Sequence, residues 1–388
     1  MKNHATHLTF EDTLVNTNIM LLMMGIPPCE EPYPVGVLAA VWRNAGFIAS
    51  FLLLSYTTIG ELIYLVRMFE RDVNFLEVTF QAPCIGYCII GVLKMIILAG
   101  RRNTIAELVA LFRAKWNQAI VDDEHWKLCD DIMRPAIRVT SVTALANVVM
   151  GISFTMLPIA EMIYHHYYTG IWNRQLAFNI WWPFDVLAGA KYFWFVYPLY
   201  VVIGFTGIII HMAFDCLFCI LAAHLCMHFR ILEHNLVHAV EESEEQQEPV
   251  DGSSMTRLQD AVVNHQDLIG CSVFMQNVFG NTLFVNFFGS SIIICIQMFM
   301  ITTVSGYMLV KFVLFMLCFL IELLMLCAYG EDIVESSGAL INAAYGCQWY
   351  EQSKPFHRTV LQIIHRSQQP VLLTAWKIWP IQMSTFSR

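Results

Sequence analysis

Apolar residues along this chain are collected into long runs, at 46–66, 78–99, 141–162, 192–220, 282–303 and 308–329, with a weaker run at 370–388. Each is close to the roughly 20 apolar residues that a helix needs to cross about 30 Å of hydrocarbon. They exceed the roughly 9–11 residues of a barrel strand, and a backbone in lipid must satisfy its own hydrogen bonds. The expected fold is therefore all-α: a polytopic transmembrane helical bundle with seven-span topology and a cytoplasmic N-terminus. The fourth run stays apolar through Cys226, so its inner end should project beyond the lipid as one continuous helix.

The segments between these runs carry their own periodicity. Residues 100–139 mix charge with Ile105, Leu108, Leu111, Phe112, Trp116 and Ile120, a helical spacing suited to cytoplasmic extensions of spans two and three. Leu258, Val262, His265, Ile269 and Val273 mark an amphipathic helix running toward span five. Ile333, Leu340, Ile341, Ala344 and Tyr345, then Val360, Leu361 and Ile364, predict two further helical pieces broken near Pro355. These pieces are too short to span a membrane and must pack on something, for which a neighbouring subunit is the expected partner. Segment 241–254 is acidic and punctuated by Pro249 and Gly252, the composition of a mobile linker. The chain thus reads as a single membrane domain over 1–388. It comprises a cytoplasmic segment at 1–45, spans and loops at 46–329, cytoplasmic anchor helices at 330–369, and the start of a seventh span at 370–388.

Composition supports the membrane assignment, with 57% hydrophobic residues, 14% charged residues and a mean hydropathy of +0.55. The net charge of −9 is local, since Glu241, Glu242, Glu244, Glu245, Glu248 and Asp251 supply six of the negatives. Cys84, Cys88, Cys216, Cys219, Cys295, Cys318 and Cys327 fall inside apolar runs, where they act as small hydrophobes rather than a disulfide framework. Glu11 and Asp12 interrupt the first twenty residues, which therefore do not read as a cleaved signal peptide. With the N-terminus inside, fourteen of the 22 Lys and Arg residues lie on the cytoplasmic side and five outside; Lys94, Lys311 and Lys377 lie within candidate spans. That orientation is the reverse of a G-protein-coupled receptor. No Asp-Arg-Tyr follows span three, no Asn-Pro-x-x-Tyr occurs, and Glu70-Arg71-Asp72 lies after span one on the outer side.

Candidate chemistry is sparse. Cys216-x-x-Cys219 with His224 and His228 has zinc-like spacing, but the four lie on one apolar helix, where ordinary packing is the simpler reading. His234 and His238 repeat the spacing on a surface helix. Glu322, inside span six, is an ionisable residue at depth: a candidate for pore or gating function, or for a structural hydrogen bond to a neighbouring helix. Lys94 and Lys311 lie near span ends, from which their ammonium groups can snorkel to water. No glycine-rich phosphate loop, His-Glu-x-x-His or Gly-x-Ser-x-Gly is present, so the sequence points to no enzyme, metal, cofactor or nucleic-acid partner.

Short elements spread along the chain resemble the insect odorant receptors. They are Leu21-Leu22-Met23-Met24-Gly25-Ile26-Pro27-Pro28 before span one, Trp182-Pro183-Phe184-Asp185 followed by Tyr192 in the second outer loop, and His265-Gln266 before span five. The strongest are Ala344-Tyr345-Gly346-Cys347-Gln348-Trp349-Tyr350 and His365-Arg366-Ser367-Gln368-Gln369-Pro370, then Pro380 and Phe386. Their order and separation, rather than any one of them, carry the resemblance.

That resemblance implies a tuned, odorant-binding subunit of a ligand-gated, non-selective cation channel. Four subunits surround a central ion path, with a common co-receptor completing a heterotetramer in the plasma membrane of an olfactory sensory neuron dendrite. Partners would be the co-receptor, a small volatile organic ligand and the lipid bilayer. The anchor between subunits would be the inner part of span four, 258–280 and 331–369, with His265, Tyr345, Trp349 and Tyr350 as its contacts. Members continue past the phenylalanine matching Phe386 with a pore helix, so the expectation for this chain is six spans and a C-terminus inside. Orienting spans two, three and four independently places Phe80, Tyr87, Met150, Ser153, Phe154, Leu157, Phe195 and Tyr200 in the outer half of the membrane. Their apolar and aromatic mix suits a small organic ligand. A metabotropic chemoreceptor of the G-protein-coupled type and a gustatory receptor of the same superfamily are the alternatives.

Overall fold

A computed structural model describes residues 7–26, 37–70, 75–120, 122–187, 189–240 and 250–387. Pro27, Pro28, Arg71, Asp72, segment 241–249 and Arg388, on which parts of the sequence reading rest, lie outside the described residues. The helices are α1 Phe10–Met23, α2 Val37–Phe69, α3 Phe75–Gly100, α4 Arg102–Ala119, α5 Asp123–Thr169 and α6 Ala190–Val237. They continue with α7 Val250–Thr303, α8 Tyr307–Gly346, α9 Lys354–Ser367 and the single turn α10 Met383–Phe386. Among the described residues, six helices (α2, α3, α5, α6, α7 and α8) are long and apolar enough to cross a membrane.

Several helices are longer than a bilayer because hydrophobic spans and amphipathic extensions fuse without a break. Helix α7 joins the predicted amphipathic segment to span five over 54 residues, and α8 carries span six on to Gly346 over 40 residues. The predicted break near Pro355 falls just before it, at a 3-10 turn, Trp349–Glu351, after which Pro355 occupies the first turn of α9. Proline is tolerated there because that backbone N–H has no intrahelical acceptor.

Helix α6 is the axis of the fold, packing most extensively on α5 and α8. Its most apolar stretch is 94% buried, against 22% for α2. A helix apolar all round belongs inside a bundle. One apolar on its outer face, as α2 is at Ile48, Leu52, Ile59 and Leu62, presents that face to lipid. The largest apolar core lies at the end assigned to the cytoplasm, where α1, α4, α9 and the inner halves of α5 to α8 converge.

Helix α1 was not anticipated. Its Thr9 and Asp12 form a capping box, and Phe10, Leu14 and Leu21 are buried against this core. Gly25 then turns the chain at φ +72, with its Cα 3.1 Å from where a Cβ on Gly46 would stand. The C-terminal run at 370–388 does not form one continuous helix over its described length, being helical only in the turn of α10. Thr374–Ala375 pairs antiparallel with Trp379–Pro380, and this hairpin sits on α7 through hydrogen bonds between Gln276 and Thr374.

Candidate functional site

Among the outer halves of α2, α3, α5, α6 and α8 lies a cavity of about 60 Å³, tighter than the roughly 300–1,000 Å³ typical of small-ligand sites, so a ligand enters it by moving the side chains that line it. Tyr87, Phe154, Phe178 and Phe315 form its aromatic wall, and Leu54, Met150, Ile203 and Ile208 add aliphatic surface. Glycines make the space. Gly151, Gly204 and Gly207 line it, and a Cβ on Gly207 would stand 2.9 Å from Tyr87 Cε1. The rings interlock edge to face: Tyr87 meets Phe315 at 5.6 Å and Phe154 meets Phe315 at 5.5 Å.

Of the eight residues expected at a ligand pocket, Tyr87, Met150 and Phe154 line this cavity. Tyr200 stands behind the wall, fully buried, 4.8 Å from Phe178, its hydroxyl accepting a hydrogen bond from Trp182 Nε1 at 3.1 Å. Phe80 packs instead on Phe312 at 5.3 Å, and Ser153 returns its hydroxyl to the Val149 carbonyl at 2.9 Å. Leu157 is half-buried one turn beyond Phe154, off the cavity lining. Phe195 is 82% exposed on the outside of α6. Periodicity assigns a depth to these side chains, but it cannot choose which face of a helix meets a cavity.

The other lining positions were not read from the sequence as pocket residues, among them Glu61 on α2, Cys84 and Cys88 on α3, and Phe178 in the loop before α6. Glu61 had a legible signal, since an acidic residue inside an apolar span is by default a functional candidate. It is fully buried, and neither carboxyl oxygen has a hydrogen-bond partner among the described residues. The Cys88 thiol, a weak donor, stands beside it.

Directly inward of the cavity lies a buried polar cluster. Lys94 Nζ sits 3.0 Å from Asp215 Oδ2, and Asn286 Nδ2 donates to Asp215 Oδ1 at 2.7 Å. The pair joins α3 to α6, and Asn286 brings in α7. Glu322 of α8 is within electrostatic reach of Asp215 and Lys94. Lys94 and Lys311 do not snorkel. Lys94 is 1% exposed because Asp215, unremarked in the sequence, supplies its counter-charge. Lys311 is 3% exposed, donates to the Ala177 carbonyl and lies 3.9 Å from the centre of the Phe154 ring. A buried cation needs such partners to offset lost hydration.

At the opposite end stand the expected anchor residues. His265 is buried on α7, 6.5 Å from Phe229. Trp349 is half-buried, donating Nε1 to the Tyr345 carbonyl at 3.1 Å and meeting His357 edge-on at 5.4 Å. Tyr345 and Tyr350 are 71% and 65% exposed. Cys216, Cys219, His224 and His228 are buried in α6, and His224 Nε2 bonds the Thr13 hydroxyl at 2.9 Å. Among the described residues no three His, Cys, Asp or Glu side chains are grouped to hold a metal.

Comparison with known proteins accords with this architecture. A family profile described as 7tm Odorant receptor matches residues 74–388. Odorant receptor 85b of Drosophila melanogaster is 25% identical over 348 residues, covering 88% of this chain and 86% of its own. Odorant receptor 85c of the same organism is 24% identical over 364 residues, covering 92% and 91%. The insect olfactory receptor OR5 from Machilis hrabei superimposes with a TM-score of 0.82 at 15% identity, over 97% of this chain and 94% of that one. The structure of OR5 in complex with eugenol superimposes equally well, at 16% identity over the same shares of the two chains.

Proposed function

The chain belongs to the 7tm odorant receptor family, a family of chemoreceptors rather than enzymes, and from that premise we propose that it is the odorant-binding subunit of a ligand-gated, non-selective cation channel. It is a multi-pass membrane protein. In this reading a common co-receptor completes a heteromeric channel in the dendritic plasma membrane of an olfactory neuron. The cavity bounded by Tyr87, Met150, Phe154, Phe178 and Phe315 is the odorant site.

The observation that carries the reading is the lining and placement of that cavity. It is an aromatic-walled space in the outer half of the bundle, reached by helices that run on into the opposite end. Helices α6 and α8 both pass from the cavity region to the inner core that holds α1, α4 and α9. A ligand that shifts their outer halves therefore acts on rods that extend to the surface presenting Tyr345 and Tyr350. The anchor role of His265, Tyr345, Trp349 and Tyr350 is part of the same proposal.

Patch-clamp recording from cells expressing this chain with the family co-receptor tests it. Odorant-evoked cation currents that persist without G-protein signalling are expected. A response that requires G-protein coupling, or an N-terminal tag accessible on unpermeabilised cells, would favour the metabotropic alternative instead.

A further inference from the structure

Glu61 is the feature of the cavity that an apolar odorant does not explain. Burying a carboxyl group without a hydrogen bond costs stability, and its retention calls for a partner. The nearby polar groups are already engaged. Trp182 Nε1 donates to the Tyr200 hydroxyl, Lys311 donates to the Ala177 carbonyl, and Gln81 Nε2 donates to the Asn179 carbonyl at 2.8 Å. The Cys88 thiol is a weak donor and leaves both oxygens short of a conventional bond.

Local packing fixes Glu61 in place. The preceding residue, Gly60, receives the Trp181 amide on its carbonyl at 3.0 Å, and a Cβ on Gly60 would stand 2.5 Å from Ile180 Cγ2. The loop before α6 is thus pressed onto α2 at this turn. Glu61, the next residue, is fully buried and lines the cavity.

We propose that Glu61 is the specificity-determining residue of this receptor, and that the cavity takes small aromatic or aliphatic molecules carrying one hydrogen-bond donor, a hydroxyl or an amine. The proposal rests on the cavity being the odorant site. A carboxyl group accepts a hydrogen bond whether or not it is ionised, so an O–H or N–H donor satisfies it in either state. Esters, ethers and ketones bring only acceptors, so they can take the proton of a protonated carboxyl but leave its other oxygen unmatched, whereas an alcohol or amine can accept that proton and donate back. The four rings around the cavity hold the remainder of the ligand by area and shape.

The test uses three probes of one skeleton on cells co-expressing the co-receptor: 2-phenylethanol, its methyl ether and 2-phenylethylamine. The unmodified receptor should respond to the alcohol or the amine at concentrations about tenfold or more below the ether, the cost of one unmet buried hydrogen bond. Glu61→Leu should abolish that preference while keeping the ether response. Glu61→Gln, which still accepts, should keep the alcohol preference and lose an amine preference that depends on charge. Surface labelling confirms that each variant reaches the membrane, and the apolar Leu variant removes a burial cost rather than adding one.

An unchanged ranking in Glu61→Leu, with Phe154→Ala altering the same ranking, overturns the role of Glu61 and leaves the cavity as the site. If neither Glu61→Leu nor Phe154→Ala alters any response, the cavity itself is not the site.

Discussion

The Tyr87 ring stacks on the His211 imidazole, centroids 4.1 Å apart and planes within 6° of parallel, while His211 Nε2 donates to the Tyr87 backbone carbonyl at 3.2 Å. That bond leaves Nδ1 to accept from Lys94 Nζ at 3.4 Å. One face of Tyr87 therefore borders the cavity and the other borders the polar cluster of Lys94, Asp215 and Asn286. A ligand that displaces Tyr87 bears directly on the groups that hold α3, α6 and α7 together.

The Lys94–Asp215 pair sets a clear stability expectation. Removing one member of a buried pair strands the other charge, at about 3–5 kcal/mol, whereas replacing both with apolar residues of similar volume is often neutral. Asp215→Leu should lower the yield of folded protein and its thermal midpoint in detergent. Adding Lys94→Met should recover most of the loss. A single Asp215→Leu variant as stable as the parent would show that the pair does not hold these helices.

Gly207 makes a finer test of cavity shape. An alanine there places Cβ 2.9 Å from Tyr87 Cε1, so the ring must give way by several tenths of an ångström. Overpacking of this kind costs about 1–3 kcal/mol, within the reach of a folded bundle. Gly207→Ala should therefore be expressed at the surface but show a changed odorant ranking, larger probes losing potency first. Equal loss across probes of every size would indicate general damage instead.

The spans were legible because lipid imposes one rule on every backbone: 20 or so apolar residues in a helix. Depth was legible too, which is why Tyr87, Met150 and Phe154 were named from the sequence and line the cavity. Facing was not. Phe195 and Tyr200 are five residues apart on one apolar helix, yet one is 82% exposed and the other fully buried, and only the neighbours of α6 decide that. Lys94 was misread because its partner, Asp215, lies 121 residues away. Glu61 was passed over inside span one although it carried the same signal that singled out Glu322. Helix α1 was announced by Thr9 and Asp12 at capping-box spacing, but its burial depends on a surface assembled from distant segments.

The inner end separates residues that hold the subunit together from residues available to a neighbour. Phe356 is 1% exposed under α9, and Phe356→Ala should cost about 3–5 kcal/mol of the subunit's own stability. Tyr350, 65% exposed, should contribute little to the isolated subunit. Tyr350→Ala should leave the thermal midpoint of the isolated subunit unchanged and reduce co-purification with the co-receptor, as should Trp349→Ala. Full recovery of the co-receptor by both variants would remove this face from the proposed anchor.

Helix α1 docks through contacts that pH can address. Thr13 accepts from His224 at 2.9 Å, Arg113 pairs with Glu11 at 2.8 Å, and Asp12 accepts the Thr9 amide at 2.8 Å and its hydroxyl at 2.7 Å. Those two bonds hold the Asp12 carboxyl below its ordinary value, which is about 3.9. A carboxylate whose pKa is lowered on folding stabilises the docked state fully above the unfolded value. That contribution is lost as pH falls through the lower, folded one. Asp12→Asn and Thr9→Ala should each weaken the start of α1, a cap of this type contributing about 1 kcal/mol. Hydrogen exchange at neutral pH should report faster exchange over Phe10–Met23 in both variants than in the parent. The difference in α1 docking between Asp12→Asn and the parent, followed by limited proteolysis with an acid-active protease, should shrink as pH is lowered below about 4, because protonation removes in the parent what the substitution removed already. A difference that persists undiminished at low pH would show that the carboxylate charge plays no part in stabilising the start of α1.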